Sequence, residues 1–320
     1  MATTAIGSER PTDASLLVRG VSPVLEVPFT ADGEVDYTGF ERVVAYALST
    51  GVTSVMFPGF ASEFHKLSED ERRRLTAILL EHTRDRNDVA AVVAVQDHAT
   101  RLAALRAMDS VEAGADLINL LPPHFLSPSR TALADHVRTV LTAIDPIPMV
   151  LQYAPSETGT SLDADLLRAI AQDHPNLRLV KVESSPPGPL IAELAAGTPS
   201  LAALEGYAGV QLPDAIRRGA VGTQPGCSLT EVYVEIWRRF ATGDEAGGVE
   251  LHRRLLPYIS YWMLDTERII AAEKLISVRR GLFASPYCRE PAHHLDTEEV
   301  RMVDRALTEF ADLLPPLGRP

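Results

Sequence analysis

Lysine is scarce in this 320-residue chain: only Lys66, Lys181 and Lys274 carry an ammonium, and arginine supplies the rest of the positive charge. Each lysine can therefore be judged singly. Cysteine is scarcer still, with Cys227 and Cys288 far apart and in neither a CxxC nor a metal-ligand spacing. That argues against a disulfide framework or a zinc site and points to a reduced, cytoplasmic setting. No apolar run is long enough to cross a bilayer. The start, MATTAIGSERPTDASLL, lacks a charged segment followed by an apolar one, so no signal peptide is read there. Positive charge is outweighed, with a formal net charge of −13. An acidic surface argues against nucleic acid or a membrane surface as partner. It does not exclude an anionic small molecule, because a pocket carries its own local donors. A phosphate loop is missing, and the glycines of GVTSVMFPGF do not have the spacing of a dinucleotide turn. No cofactor and no metal are therefore expected.

What the chain does have is alternation. Eight short, nearly continuous apolar runs read as strands over residues 20–28, 53–58, 89–95, 115–121, 147–153, 177–183, 200–205 and 219–224. Strands buried on both faces have this character. Helical patterns lie between them. SEDERRRL opens one over 68–84, with an N-cap serine and acidic residues in the first turn. Others are read over 131–144, starting with a threonine, and 163–173. Eight β-plus-α units predict a closed parallel (β/α)₈ barrel, with an open doubly wound sheet as the alternative. Beyond strand eight the pattern is purely helical, over 229–241, 244–262, 266–281 and 296–313. The last helix is expected to start at Asp296 or Thr297. The predicted organisation is a loose tail over 1–14, a barrel over 15–241 and a C-terminal helical appendage over 242–320.

The run Leu179-Val180-Lys181-Val182-Glu183 carries the most chemistry. Side chains alternate along a strand. Val180 and Val182 suit the helix layer, so Lys181 and Glu183 are expected in the lumen, near the C-terminal end where barrel active sites sit. Desolvation there favours the neutral amine, which can attack a ketone and form an imine. The competing reading is a plain ion pair between Lys181 and Glu183. Lys66, in a polar loop, and Lys274, on a helix, are expected to be solvated.

Several segments together resemble the dihydrodipicolinate synthase/N-acetylneuraminate lyase family, over nearly the whole chain. They are VSPVLEVPFTADGEVD, PGFASEFHKLSEDER, LQYAPSETG, LVKVESSP and EGYAGVQLPDAIRRGAVGTQPG, in the family's order and spacing. The resemblance implies a barrel with a C-terminal helical appendage, a homotetramer, and Schiff-base chemistry of Lys181 on pyruvate-like 2-oxo acids. It also exposes departures. Phe60 and Ala61 stand where the family has two threonines, which leaves the substrate carboxylate to Ser62 and backbone amides. His124 and Phe125 replace an aromatic pair whose tyrosine reaches the neighbouring subunit. Ungapped matching on Pro155 puts Gln152 at the family's catalytic tyrosine, with Tyr153 one place later and, by alternation, on the other face. Glu157 replaces the arginine that binds aspartate semialdehyde.

These departures argue against lysine-pathway synthase activity. A closer likeness is to 2-keto-3-deoxy-L-arabonate dehydratase, through Ser62-Glu63, Gln152-x-Ala154-Pro155, Lys181-x-Glu183 and Gly222-Thr223-x-Pro225. The favoured expectation is therefore dehydration of a 2-oxo-3-deoxy sugar acid through a Lys181 iminium. The alternative within the lyases is aldol or retro-aldol chemistry with pyruvate. An alternative of another class is a retired barrel that only binds a 2-oxo acid. For proton transfer the candidates are Glu183 with His98 or His124, with Gln152 or Tyr153 in support. His98 and His124 each have a loop-packing reading beside the functional one. Gly206 and Gly222 are candidates to let backbone approach the substrate, with tight packing as the bland alternative, and Thr223 is a candidate substrate-binding residue beside them. Glu63 reads as a structural acceptor in its loop.

Overall fold

The computed structural model describes residue 16 and residues 18–123, 125–159 and 161–317. His124 lies outside the described residues.

The elements alternate as expected. In chain order they are β1 (Gly20–Val21), α1 (Tyr37–Ser49), β2 (Ser54–Phe57), α2 (Glu69–Thr83), β3 (Ala90–Val95), α3 (Thr100–Glu112), β4 (Leu117–Leu120) and α4 (Arg130–Ile144). There follow β5 (Met149–Tyr153), the single turn α5 (Pro155–Thr158), α6 (Ala164–Asp173), β6 (Leu177–Val182), α7 (Gly188–Ala196), β7 (Ala202–Glu205), α8 (Leu212–Arg217) and β8 (Gly222–Thr223). Helices α9 (Thr230–Ala241), α10 (Glu245–Trp262), α11 (Thr266–Arg280) and α12 (Thr297–Glu309) complete the chain. All strand pairs are parallel, in the order β1-β8-β7-β6-β5-β4-β3-β2. The remaining seam is joined by a bridge between Val24 and Met56. The fold is a (β/α)₈ barrel with helices appended at its C-terminal end.

The first strand is shorter than its apolar run. Pro23 and Pro28 have no N–H to donate, so a ladder cannot run over 20–28. The segment is nonetheless held on alternate sides. Gly20, Ser22 and Val24 donate to Val221, Thr223 and Pro225 on one flank, and Leu25 donates to Met56 on the other.

The strands are buried on both faces, and the two faces form separate cores. Val92, Leu117, Val150, Leu179 and Leu204 fill the lumen. Val93, Ile118, Leu151, Val180 and Val182 pack under the helices. Helix starts follow local capping. Ser68 and Glu71 form the predicted reciprocal box, with Ser68 N donating to Glu71 at 2.8 Å and Glu71 N to Ser68 Oγ at 3.3 Å. Asp296 caps α12 in the same manner. Helix α4 begins one residue before the expected threonine, because Ser129 Oγ accepts from the Ala132 amide at 3.3 Å and so caps it.

Two lysines correct the sequence reading. Lys274 is fully buried, and Lys66 has a side chain only 6% exposed. Both ammonium groups converge on the buried carboxylate of Glu63. Lys274 also donates to the Tyr287 carbonyl at 3.0 Å, and Lys66 to Glu267 at 2.5 Å. Position along the chain could not reveal this. Helix α11 folds back against the loop after β2, and that tertiary contact removes both ammoniums from water. Glu63 is indeed a structural acceptor, for it also takes the Arg289 amide at 3.0 Å.

Candidate active site

Strand pairing sets Gln152, Lys181, Leu204 and Gly222 side by side across the barrel. Lys181 is 4% exposed, and its Nζ lies 3.3 Å from Glu183 Oε1. The other carboxylate oxygen of Glu183 accepts from Gln152 Nε2 at 2.8 Å. The amide of Gln152 is oriented in turn, since its oxygen accepts from Asn119 Nδ2 at 3.0 Å. A chain of buried polar groups from β4 through β5 to β6 therefore aims Glu183 at the amine. Gly206 makes room for it: a Cβ there would come within 2.2 Å of Glu183 Cγ.

Lys181 and Glu183 line a cavity at the C-terminal ends of the strands, together with Phe60, Ala61, Glu157 and Tyr207. The Tyr207 hydroxyl donates to both oxygens of Glu157, at 3.2 and 3.3 Å. Burial, aided by the charge of Glu183, raises the pKa of Glu157 above the usual carboxylate range. Burial pushes the Tyr207 phenol up to about 12. Tyr207 and Ala208 both adopt left-handed backbone, with φ of 46° and 52°. Non-glycine residues in this region store strain of about 1–3 kcal/mol each and cluster at functional sites. Behind the site, Glu205 is buried and pushed up to about 8 by desolvation, despite bonds from the Gln211 amide and Thr223. Glu273 of α11 reaches the same cavity from the appendage.

The other sequence candidates distribute unevenly. Phe60 and Ala61 line the cavity. Ser62 does not, since its hydroxyl donates to the Leu25 carbonyl and accepts from the Gly59 amide at 2.9 Å, closing the turn. Thr223 Oγ1 is taken up by Glu205, at 3.0 Å to the carbonyl and 3.1 Å to the carboxylate. Gly222 serves packing, for a Cβ would stand 2.4 Å from the Gly20 carbonyl oxygen. Tyr153 packs with Val180 and Val182 in the helix-side core, so Gln152 is the strand-five residue that faces Lys181. His98 is exposed, with its ring 6.1 Å from that of Phe125, and it is not among the residues lining the cavity. Tyr207, Asn119 and Glu273 were not singled out in the sequence. EGYAG could have flagged Tyr207, as a tyrosine just past a strand end. Nothing local marks Glu273, one acidic residue among many on amphipathic helices.

Known proteins share this architecture. The 4-hydroxy-tetrahydrodipicolinate synthase of Methanothrix thermoacetophila is 29% identical over 301 residues, covering 93% of this chain and 98% of that one. Its counterpart in Salinibacter ruber is 26% identical over 302 residues, covering 93% and 97%. Among solved structures, YagE of E. coli K12, a prophage protein of the dihydrodipicolinic acid synthase family in complex with pyruvate, superposes with a TM-score of 0.82. It is 23% identical, covering 92% of this chain and 98% of that one, and supports the fold. The relatives' names support the carbon–carbon alternative better than water loss, and they lend no support to the dehydratase likeness. A model of the dihydrodipicolinate synthetase family matches residues 17–310, and the chain belongs to that family.

Proposed function

We propose that the protein is a Schiff-base lyase that makes or breaks a carbon–carbon bond next to a pyruvate-derived enamine held on Lys181. The observation that supports this best is the buried Lys181 amine, 3.3 Å from Glu183 in a cavity at the strand ends. Lys181 Nζ adds to C2 of the 2-oxo acid. Glu183 receives and returns the protons as the carbinolamine forms and loses water to give the iminium. In the cleavage direction a base takes the C4 hydroxyl proton, the C3–C4 bond breaks, and its electron pair moves to the iminium as an enamine. Protonation at C3 and hydrolysis then release pyruvate and free Lys181. Condensation is the same sequence reversed. Gln152 cannot carry the C4 proton, since an amide does not titrate near neutrality. The Glu157–Tyr207 pair lines the same cavity and supplies a carboxylate for that role. The substrate carboxylate falls to the backbone amides of the segment at Phe60–Ala61, because the Ser62 hydroxyl is committed elsewhere.

Incubation with pyruvate and borohydride should leave a reduced adduct on the Lys181 peptide. Glu157→Gln and Tyr207→Phe should keep that adduct and lower turnover, by about 10²–10⁴-fold for the first, the usual range for general acid–base residues. Product analysis separates the chemistries. Release of pyruvate from 2-oxo-4-hydroxy acids supports this reading. Loss of water without pyruvate would instead support dehydration. Assembly into a homo-oligomer, expected as a tetramer, belongs to the same proposal. Exposed Leu102, Leu105 and Met108 on one stripe of α3, with exposed Phe125 and Leu126, support it. Light scattering at micromolar concentration should give a mass above one 34.8 kDa chain, and a monomer would count against it.

A further inference from the structure

The cavity around Lys181 has an unusual balance of charge. Among the described residues Lys181 is its only basic lining side chain, against the carboxyls of Glu157, Glu183 and Glu273. Most of the remaining lining is apolar, including Val24, Met263, Ile269 and Ile270. Glu273 is the residue that the mechanism leaves without a task. It is 7% exposed, and its Oε2 is buried without a hydrogen-bond partner. The carboxyl presses against the chain after β8, where a Cβ on Gly226 would come within 1.7 Å of Oε2. Only glycine at that place admits it.

Resting on the Schiff-base reading, we infer that Glu273 is a specificity residue that restricts the site to 2-oxo acids whose chain beyond C3 carries no negative charge. Once Lys181 is bound to C2 its positive charge sits in the iminium, beside the C1 carboxylate, and no second lining cation is left to meet an anionic tail. Such a tail would lie among carboxyls in a poorly solvated cavity, where like charges repel strongly. An uncharged hydroxyl or carbonyl meets no such penalty.

Protonation gives the inference a signature. Burial first, and then the charge of Glu26, push the Glu273 carboxyl up to about 8. Glu26 is itself pushed up to about 7 by burial. The groups that act on Glu273 are Glu26 on the segment after β1 and the Ser228 backbone, while Cys227 after β8 and Tyr233 of α9 are themselves pushed well up, by burial first and with the charge of Glu273 among the lesser causes. Lys274, next along the helix, is turned to Glu63. A carboxyl with a raised pKa is neutral below that value and charged above it. Rejection of anionic tails should therefore strengthen as pH rises from 6 to 9.

The test compares two ligands of equal length, 2-oxopentanoate and 2-oxoglutarate, by half-saturation of borohydride trapping on Lys181. Their ratio cancels the pH dependence of imine formation, which both share. In the wild type 2-oxoglutarate should need at least about tenfold more ligand at pH 9, with a smaller gap at pH 6. Glu273→Gln should narrow the gap at pH 9 and flatten its change with pH. Met263→Arg, a half-buried rim position that leaves Glu273 in place, should favour 2-oxoglutarate, and it keeps the test open if the first variant fails to fold. Equal half-saturation of the two ligands in the wild type would overturn the inference and leave the Schiff-base reading standing. So would a Glu273→Gln protein whose ratio changes with pH as much as that of the wild type. Absence of any adduct with either ligand would overturn both.

Discussion

Lys181→Arg should abolish the borohydride adduct with pyruvate and reduce turnover by roughly 10³-fold or more, the scale on which loss of a nucleophile acts. Arginine is the informative replacement. Its guanidinium stays charged and cannot form an imine under these conditions, yet it can still pair with Glu183. The buried carboxylate therefore keeps a cation, and folding is not put at risk by an orphaned charge. Lys181→Ala should be equally inactive but less stable, because Glu183 would keep only the Gln152 amide as partner. Intact mass after reduction, together with steady-state assays, checks both variants. An adduct on the arginine variant would mean that another amine does the chemistry. Lys66 and Lys274 are poor substitutes, since Glu63 holds both ammoniums in ion pairs.

Lys274→Met should cost about 3 kcal/mol of stability, read as a lower urea midpoint at unchanged slope. The carboxylate of Glu63 is wholly buried. Removing Lys274 takes away a direct ionic partner and leaves Lys66 at 3.2 Å and the Arg289 amide at 3.0 Å. Breaking one side of a buried pair usually costs about 3–5 kcal/mol, and the remaining partners place this case at the lower end. The ammonium also stacks on the Phe29 ring, 4.2 Å from its centroid, a contact that methionine keeps only as packing. The control is Arg86→Ala. The Arg86–Asp88 pair is solvent-facing, with side chains 39% and 62% exposed, so its loss should cost no more than about 1 kcal/mol. Equal effects at the two sites would show that α11 is not clamped to the barrel through Glu63.

The site was legible in part, and the division follows distance along the chain. Lys181 lies on β6 and Glu183 one residue past its end, and alternation alone puts both on the face opposite Val180 and Val182. Gln152 and Tyr153 are adjacent, so one of them had to face inward, and the match at Pro155 pointed to Gln152. Ser62 and Thr223 were offered as substrate contacts from the resemblance. Each instead satisfies a buried neighbour, Leu25 for one and Glu205 for the other. Those neighbours lie 37 and 18 residues away and could not be counted as competitors in advance.

The sequence by itself determined the order of strands and helices, the parallel barrel and the lysine that faces its lumen. These follow from hydrophobic period, capping and turn residues, which act over a few neighbouring positions. Only the tertiary structure decided which charges are buried. Lys66, Lys274 and Glu63 meet because α11 returns to the loop after β2. Tyr207 meets Glu157 across 50 residues, and Glu273 enters the cavity from the appendage. Burial of a charge depends on every segment that packs around it, so no local pattern can announce it.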